Sequence, residues 1–255
     1  MARKVSKRKR PSKDEFLMNE RFKLESEVFD RTSLLILSKL IGKGIFETLD
    51  YPISTGKEAN VFRATTASGT YLAVKIYKLE TTHFMRRKEY LEGDPRFRKF
   101  RRTEREFVTA FAQKEFKNLL ICERAKVHAP RPIIQEKNVL VLEFLGKGGL
   151  PYTPLNELGP SSLSQLKGIL GDLRKLYKAG LVHADASEYN VLVGPKPYLI
   201  DFGQGVVLTH PRAEEYLERD VRNLVSYFSK HGFRMDGNEA LRYVKSEKKG
   251  KSKKE

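Results

Sequence analysis

The segment LVHADASEYNVLV carries Asp185 and Asn190 with four residues between them, and the strand-like PYLI that follows runs directly into Asp201, Phe202 and Gly203. Two carboxylates and an amide are thus gathered at one edge. A carboxylate beside an incoming hydroxyl can take its proton, while an amide and a second carboxylate are hard oxygen donors for a divalent ion that bridges polyphosphate oxygens. That is the donor set of phosphoryl transfer, with Asp185 at the nucleophile and Asn190 and Asp201 at the metal. On its own, an Asp and an Asn this close together more often cap a turn. The second strand, ending in Asp-Phe-Gly at the right distance, weakens the turn reading.

The spacing is that of the H-x-D-x-x-x-x-N, then D-F-G, pattern of protein-kinase-like catalytic loops. Two upstream residues supply an independent check. Lys75 stands in the middle of the apolar run LAVKIY, where a lysine needs an anionic partner or must hold phosphates. Glu115 falls four residues after Phe111 and four before Leu119, inside the apolar stripe of a helix, where a buried carboxylate needs a cation. Pairing the two satisfies both, and breaking a well-buried pair of this kind costs roughly 3–5 kcal/mol. The competing reading, that either side chain reaches out to water, ranks second.

Several elements must hold these residues. Ser33 is expected to cap a short helix through Leu34, Leu35, Leu37, Leu40 and Ile41 that stops at Gly42 and Gly44. ANVFRATT and TYLAVKIYK, joined by a turn at Ala67, Ser68 and Gly69, read as a hairpin. Phe107, Phe111, Ala112, Phe116, Leu119 and Leu120 mark a helix from Glu104 to about Lys126, closed by Pro130 and Pro132. IIQEKNVLVLEF gives two strands around Lys137 and Asn138. Gly146, Gly148, Gly149, Pro151 and Pro154 form the clearest linker, and the lobe boundary is placed there. Beyond it an amphipathic helix carries Leu163, Leu166, Ile169, Leu170, Leu173, Leu176 and Tyr177 and ends at Gly180, and the catalytic loop is expected to leave a helix and enter a strand.

Charge suggests a partner. Of 255 residues, 49 are Lys or Arg and 32 Asp or Glu, a formal net charge of +17. Residues 1–13 hold seven basic side chains and no acid, and residues 245–255 hold six lysines against two glutamates, so the tails account for eleven of that excess. Such segments cannot offset the entropy of ordering and read as disordered arms, suited to phosphate backbones by counterion release or simply to solubility. The stretch from Arg86 to Arg105, with nine Lys/Arg and several aromatics against four acids, favours a polyanion, RNA ahead of DNA. At 40% hydrophobic residues the chain is expected to fold, and collagen-like, mucin-like or wholly disordered classes are excluded. The single Cys122 rules out an intrachain disulfide, and neither it nor the five histidines has metal-ligand spacing. With no bilayer-length apolar run and no signal peptide, a cytoplasmic protein without membrane contact is expected.

The segment before the Lys75 strand, ISTGKEANVF, has one glycine where ordinary kinases have G-x-G-x-x-G. Together STGKEANVF, LAVKIYK, HADASEYN and IDFGQGV closely resemble the RIO family of atypical serine/threonine protein kinases, and its first subfamily in particular. The resemblance spans about Phe29 to Tyr243 and its motifs are specific. The second subfamily fits less well, since it has a winged-helix domain where this chain has only about fifty residues, and the lysine-rich end looks archaeal.

The resemblance implies an α+β, two-lobed protein-kinase-like fold with a β-rich N-lobe, a helical C-lobe, an extra N-terminal helical segment and no activation segment or peptide-binding subdomain. Its expected parts are a basic arm (1–28), the N-lobe (29–145), the C-lobe (146–244) and a lysine-rich tail (245–255). It implies ATP and Mg²⁺, for which Mn²⁺ can substitute. Lys75 would hold the ATP phosphates with Glu115 as its helix partner, Asp185 would be catalytic, and Asn190 and Asp201 would bind metal. Asp201 would also accept a transient phosphoryl group. Ser54, Thr55, Gly56 and Lys57 would form the nucleotide loop, the backbones of Glu143 and Leu145 would meet adenine, and His183 would order the loop. Residues from about His83 to Arg102 match the family's flexible loop, and Thr103 beside it is a candidate autophosphorylation site. Ala186 stands where the family usually has leucine, a packing change. The implied role is a kinase or ATPase of small ribosomal subunit maturation, with the precursor particle and its RNA as partners of the basic arms and the protein phosphoacceptor unknown. Two rivals remain: a small-molecule kinase of the aminoglycoside phosphotransferase type, for which the region after Asp201 is short, and a silent nucleotide-binding RNA scaffold, at odds with the complete residue set.

Overall fold

In the computed structural model, which describes residues 29–79, 89–97 and 103–246, the first element is a helix capped by an aspartate. Helix α1 (Arg31–Gly42) starts at Asp30, whose carboxylate accepts from the amides of Thr32 and Ser33. The expected cap, Ser33, lies one turn further in. It is buried, donates its hydroxyl to Asp30 and accepts from the Asn138 amide, tying α1 to the sheet. Aspartate wins because its two oxygens reach several orphan amides at once. The basic arm, residues 80–88 and 98–102 of the segment expected to form the flexible basic loop, and the lysine tail beyond Ser246 lie outside the described residues.

Five antiparallel strands follow in the order β1-β2-β3-β5-β4: β1 (Thr48–Thr55), β2 (Ala59–Thr65), β3 (Tyr71–Tyr77), β4 (Pro132–Glu136) and β5 (Val139–Glu143). The two-residue side-chain period of β3 sorts its residues between two layers. Leu72, Val74 and Ile76 join Ile36, Leu37 and Leu40 of α1 in one core, while Tyr77 faces the opposite layer with Phe107 and Phe111. Those two belong to helix α2 (Glu104–Arg124), capped by the Thr103 hydroxyl. Lys75 therefore points toward α2 because its register neighbours Val74 and Ile76 are needed on the other side.

The glycine- and proline-rich segment after β5 is more structured than a plain linker. It forms the short hairpin β6 (Gly146–Lys147) and β7 (Leu150–Pro151), and then β8 (Thr153–Pro154), which joins the C-lobe by pairing with β10 (Val191–Val193). The hairpin is tied to the N-lobe sheet: Tyr51 and Arg63 both donate to the Gly149 carbonyl, at 2.7 and 2.9 Å. Helix α3 (Leu155–Leu158) and helix α4 (Leu163–Lys178, capped by Ser162) follow. A strand, β9 (Leu181–Val182), stands between α4 and the catalytic loop, so that loop leaves a strand and not a helix. β11 (Pro197–Leu199) pairs with β10, and β12 (Val206–Val207) pairs with β9. Helices α5 (Ala213–Lys230) and α6 (Gly237–Lys245) close the C-lobe over Leu166, Ile169, Leu173, Leu217, Val221 and Leu224. α6 continues through Lys245, which pairs with Glu214, so the structured C-lobe runs past the expected start of the tail. Among the described residues no helix is long and apolar enough to cross a membrane.

Candidate active site

Lys75, from β3, is 93% buried and holds two carboxylates at once. Its Nζ lies 2.9 Å from Glu115 Oε1 and 3.0 Å from Asp201 Oδ1. Burial alone would depress the lysine, but Asp201 and Glu115 outweigh it and hold the ammonium above its ordinary value. Glu115 also accepts from the Tyr77 hydroxyl and from the Phe202 amide at 3.2 Å. A single carboxylate on α2 thereby fixes both β3 and the backbone that follows Asp201.

Asp201 and Ala184 each have a φ of 63°, the left-handed region that residues with a Cβ rarely occupy. Such backbones persist where the surroundings over-determine them. Around Ala184 that work falls to Asp220 of α5, whose buried carboxylate accepts from the amides of Ala184 and Ala186 at 2.8 and 3.0 Å. The two amides flank Asp185, so its side chain is aimed by a strap from α5. Ala186 is fully buried, and its amide is one end of that strap.

Asp185 and Asn190 meet as their spacing suggests. Asn190 Nδ2 donates to the Asp185 carbonyl at 2.9 Å and to its carboxylate at 3.1 Å, which turns the amide oxygen away from Asp185. Gln204 adds a second bond to the same carboxylate, 3.1 Å long. Burial and the Asp201 charge push Asp185 up to about 6, against the pull of Arg219 and Asn190. His183 is buried against the Phe202 ring and donates through Nε2 to the Ile200 carbonyl at 3.0 Å. Its desolvation lowers it to about 4, so it is neutral near pH 7 and orders the loop without carrying charge.

The residues expected to form the nucleotide loop lie at the β1–β2 turn. Ser54 and Thr55 end β1, paired with Val61 and Asn60, and Gly56 and Lys57 form the exposed turn into β2. Lys78 donates to the Gly56 carbonyl at 2.7 Å, fixing the turn to the end of β3. At the other end of the sheet, the Glu143 amide donates to Arg131 and the Leu145 carbonyl accepts from Tyr152. These bonds occupy the Glu143 amide and the Leu145 carbonyl, the two backbones expected to face a base. Thr103 is exposed at the start of α2, with its hydroxyl donated to Glu106 at 2.9 Å.

A family model described as the RIO domain matches residues 60–240, which includes every element of this cluster. The chain belongs to the RIO family. The RIO-type serine/threonine-protein kinase Rio1 of Haloferax volcanii is 38% identical over 249 residues, covering 95% of this chain and 86% of that protein. The protein of the same name from Thermoplasma acidophilum is 40% identical over 187 residues, covering 72% of this chain and 98% of that one. Among solved structures, the Rio2 kinase from Chaetomium thermophilum superposes with a TM-score of 0.62 at 21% identity, over 83% of this chain and 67% of its own. An ADP/Mg²⁺-phosphoaspartate complex of that kinase gives 0.60 at 22% identity, over 83% of this chain and 66% of its own. At that identity the match speaks for the fold, the β-sheet N-lobe and helical C-lobe of a RIO kinase.

In this RIO domain, further residues outside the motifs support the cluster. Asp220 interrupts the apolar stripe of α5 between Leu217 and Val221 and Leu224, the same anomaly that exposes Glu115, so its signal was present. Lys114, Asn118 and Gln204 had no such mark. Lys114 is buried and donates to the Gly203 and Gly205 carbonyls, and burial lowers it to about 7.

Proposed function

We propose that this RIO domain is an ATP- and Mg²⁺-dependent serine/threonine protein kinase with ATPase activity. The observation that carries the reading is the double pairing of Lys75 with Glu115 and Asp201, beside an Asp185 held by Asn190. A structural ion pair would need one carboxylate; a lysine that holds a second, 40% exposed one is suited to an anionic ligand that it shares with a metal.

The donors present fit Mg²⁺. Asp201 offers a carboxylate and Asn190 the amide oxygen left after its nitrogen is used, and Mg²⁺ typically takes one or two protein oxygens and fills its shell with phosphate and water. Among the described residues no cluster of three His, Cys, Asp or Glu side chains forms a metal cage, in keeping with a metal brought by nucleotide. When bound, the ion would neutralise charge on the phosphates. Lys75 would orient those phosphates, and Asp185, raised to about 6, would accept the proton of the attacking hydroxyl.

Asp201 is itself a reasonable phosphoryl acceptor. In that route an Asp201 oxygen bonds to the γ-phosphorus, the bond to the β-bridging oxygen breaks and ADP departs with the electron pair. Water then attacks the acyl phosphate, giving its proton to Asp185. The phosphoaspartate named in the Chaetomium complex belongs to that protein, and supports the route here only by the shared fold. Transfer to the chain's own Thr103, and action on the small ribosomal subunit precursor through the basic arms, complete the proposal, the latter on the placement of charge alone.

Single-turnover labelling with γ-labelled ATP tests this. The expected result is Mg²⁺-dependent label on the protein, one fraction released by hydroxylamine as an acyl phosphate and another acid-stable on Ser or Thr, with phosphate release faster when small-subunit RNA is added. Nucleotide binding with no label and no phosphate release would leave the scaffold reading in its place.

A further inference from the structure

The turn after Asp201 is gripped by α2 through more than Glu115. Asn118, fully buried, donates its side-chain nitrogen to the carbonyls of Phe202 and Gly205, each at 2.8 Å. Lys114 reaches the Gly203 and Gly205 carbonyls from one turn earlier in α2. Backbone and helix are so close that a Cβ on Gly205 would stand 2.9 Å from Asn118 Nδ2, and one on Gly203 would stand 2.5 Å from the Phe111 ring. Both glycines of DFGQG are therefore required by the approach of α2.

An amide can present either its nitrogen or its oxygen, and here a neighbour decides. Arg96 Nη2 donates to Asn118 Oδ1 at 2.8 Å, which takes up the oxygen and turns the nitrogen to the two carbonyls. Arg96 is itself held in a fork by Asp94, with Nε at 3.0 Å from Oδ1 and Nη2 at 2.7 Å from Oδ2, and Asp94 is fully buried. The segment bearing this pair is anchored from the C-lobe side: His210 Nε2 donates to the Glu89 carbonyl at 3.1 Å and Arg212 pairs with the Glu89 carboxylate at 2.5 Å. The chain of contacts runs from residues 89–96, through α2, to the turn that carries Asp201.

We infer that Asn118, aimed by Arg96, is a positioning residue for Asp201: its two donor bonds hold the turn 202–205 so that Asp201 keeps its left-handed backbone and presents its carboxylate to a Mg²⁺-bound nucleotide. The inference rests on the kinase reading above. Neither residue touches nucleotide or reacting atoms; they act through the backbone. Loss of either grip lets the carbonyls of Phe202 and Gly205 turn, and Asp201 with them, while Lys75, the nucleotide loop and the strand that faces the base are left in place.

The test is ADP binding by titration calorimetry, without metal and across a Mg²⁺ series, on the wild-type chain, Arg96→Ala and Asn118→Asp. Arg96 is half-buried, and because its removal leaves the buried Asp94 without its cation, each variant is first shown to be folded by thermal melting; Asn118→Asp keeps its shape and its contact with Arg96 but sets oxygen against two carbonyls. Both variants are expected to bind metal-free ADP like wild type and to need about ten-fold more Mg²⁺ for half-maximal tightening, the scale of effect that groups behind a metal ligand have on metal affinity. An unchanged Mg²⁺ midpoint in folded Arg96→Ala overturns the inference, and so does an equal loss of metal-free binding, which would show general loosening. If wild type itself shows no Mg²⁺-dependent tightening of ADP, the kinase reading fails first, and the inference with it.

Discussion

Lys75 and Glu115, forty positions apart in sequence, meet at 2.9 Å with side chains only 9% and 2% exposed. Each buried charge is offset by the other, and Lys75 has a second carboxylate in Asp201. Lys75→Met is expected to lower unfolding free energy by roughly 3 kcal/mol, since it leaves Glu115 buried with only neutral donors. Glu115→Gln should cost less, because Asp201 still pairs with the lysine. Chemical denaturation of the two variants and their double measures the coupling; a double that is merely the sum of the singles would mean that the pair contributes nothing as a pair.

Asp185, pushed up to about 6, sets a pH limb. In the proposed reaction Asp185 works as base only when ionised, so kcat/KM should be flat above about pH 7 and fall about ten-fold per unit below 6. A limb that stays near pH 4, the ordinary value for an aspartate, would contradict the rise that burial and Asp201 impose on Asp185.

Asp220→Ala should loosen the catalytic loop without touching nucleotide. It strands the amides of Ala184 and Ala186, at about 1–3 kcal/mol for each buried donor left unsatisfied. A fall of about ten-fold or more in kcat with KM for ATP little changed is the expected pattern, since Asp185 is misaimed while Lys75 is not. A change in KM alone would contradict the strap.

Gly203→Ala should abolish turnover while the protein stays folded. The added methyl would stand 2.5 Å from the Phe111 ring, and relief requires the DFG turn or α2 to move. Measuring phosphate release and thermal melting together checks it; full activity would mean that the turn is looser than these contacts indicate.

Much of this site was legible because its residues violate the pattern around them. Lys75 breaks an apolar strand and Glu115 an apolar helix stripe, and a polar side chain in such a place must have a partner. The Asp185, Asn190 and Asp201 spacing carries the chemistry in a single continuous stretch. Asp220 breaks the α5 stripe in the same way, but it lies beyond the catalytic motif, with nothing in the sequence to say which backbone it meets. Arg96 and Asn118 could not be found by this logic. Arg96 sits in a single 3-10 turn, Pro95–Phe97, too short to have a period to violate and flanked by other basic residues, and Asn118 looks like an ordinary polar helix position until the DFG turn is placed against it. The same limit explains the cap of α1. Asp30 and Ser33 are both cap residues one turn apart, and only the buried hydroxyl contact to Asn138 shows that Ser33 is inside the helix. The glycine-rich linker hid β6–β8 because strands of two residues have no side-chain period to read.

The most direct measurement of the central claim is phosphate release from γ-labelled ATP with Mg²⁺, comparing wild type with Asp185→Ala and Asp201→Asn, each shown by calorimetry to be folded. Turnover by wild type, with loss of about two orders of magnitude or more in both variants, is the predicted result. Equal phosphate release by all three proteins would contradict it, because the carboxylates that Lys75, Asn190 and Gln204 hold in place would then have no part in the chemistry.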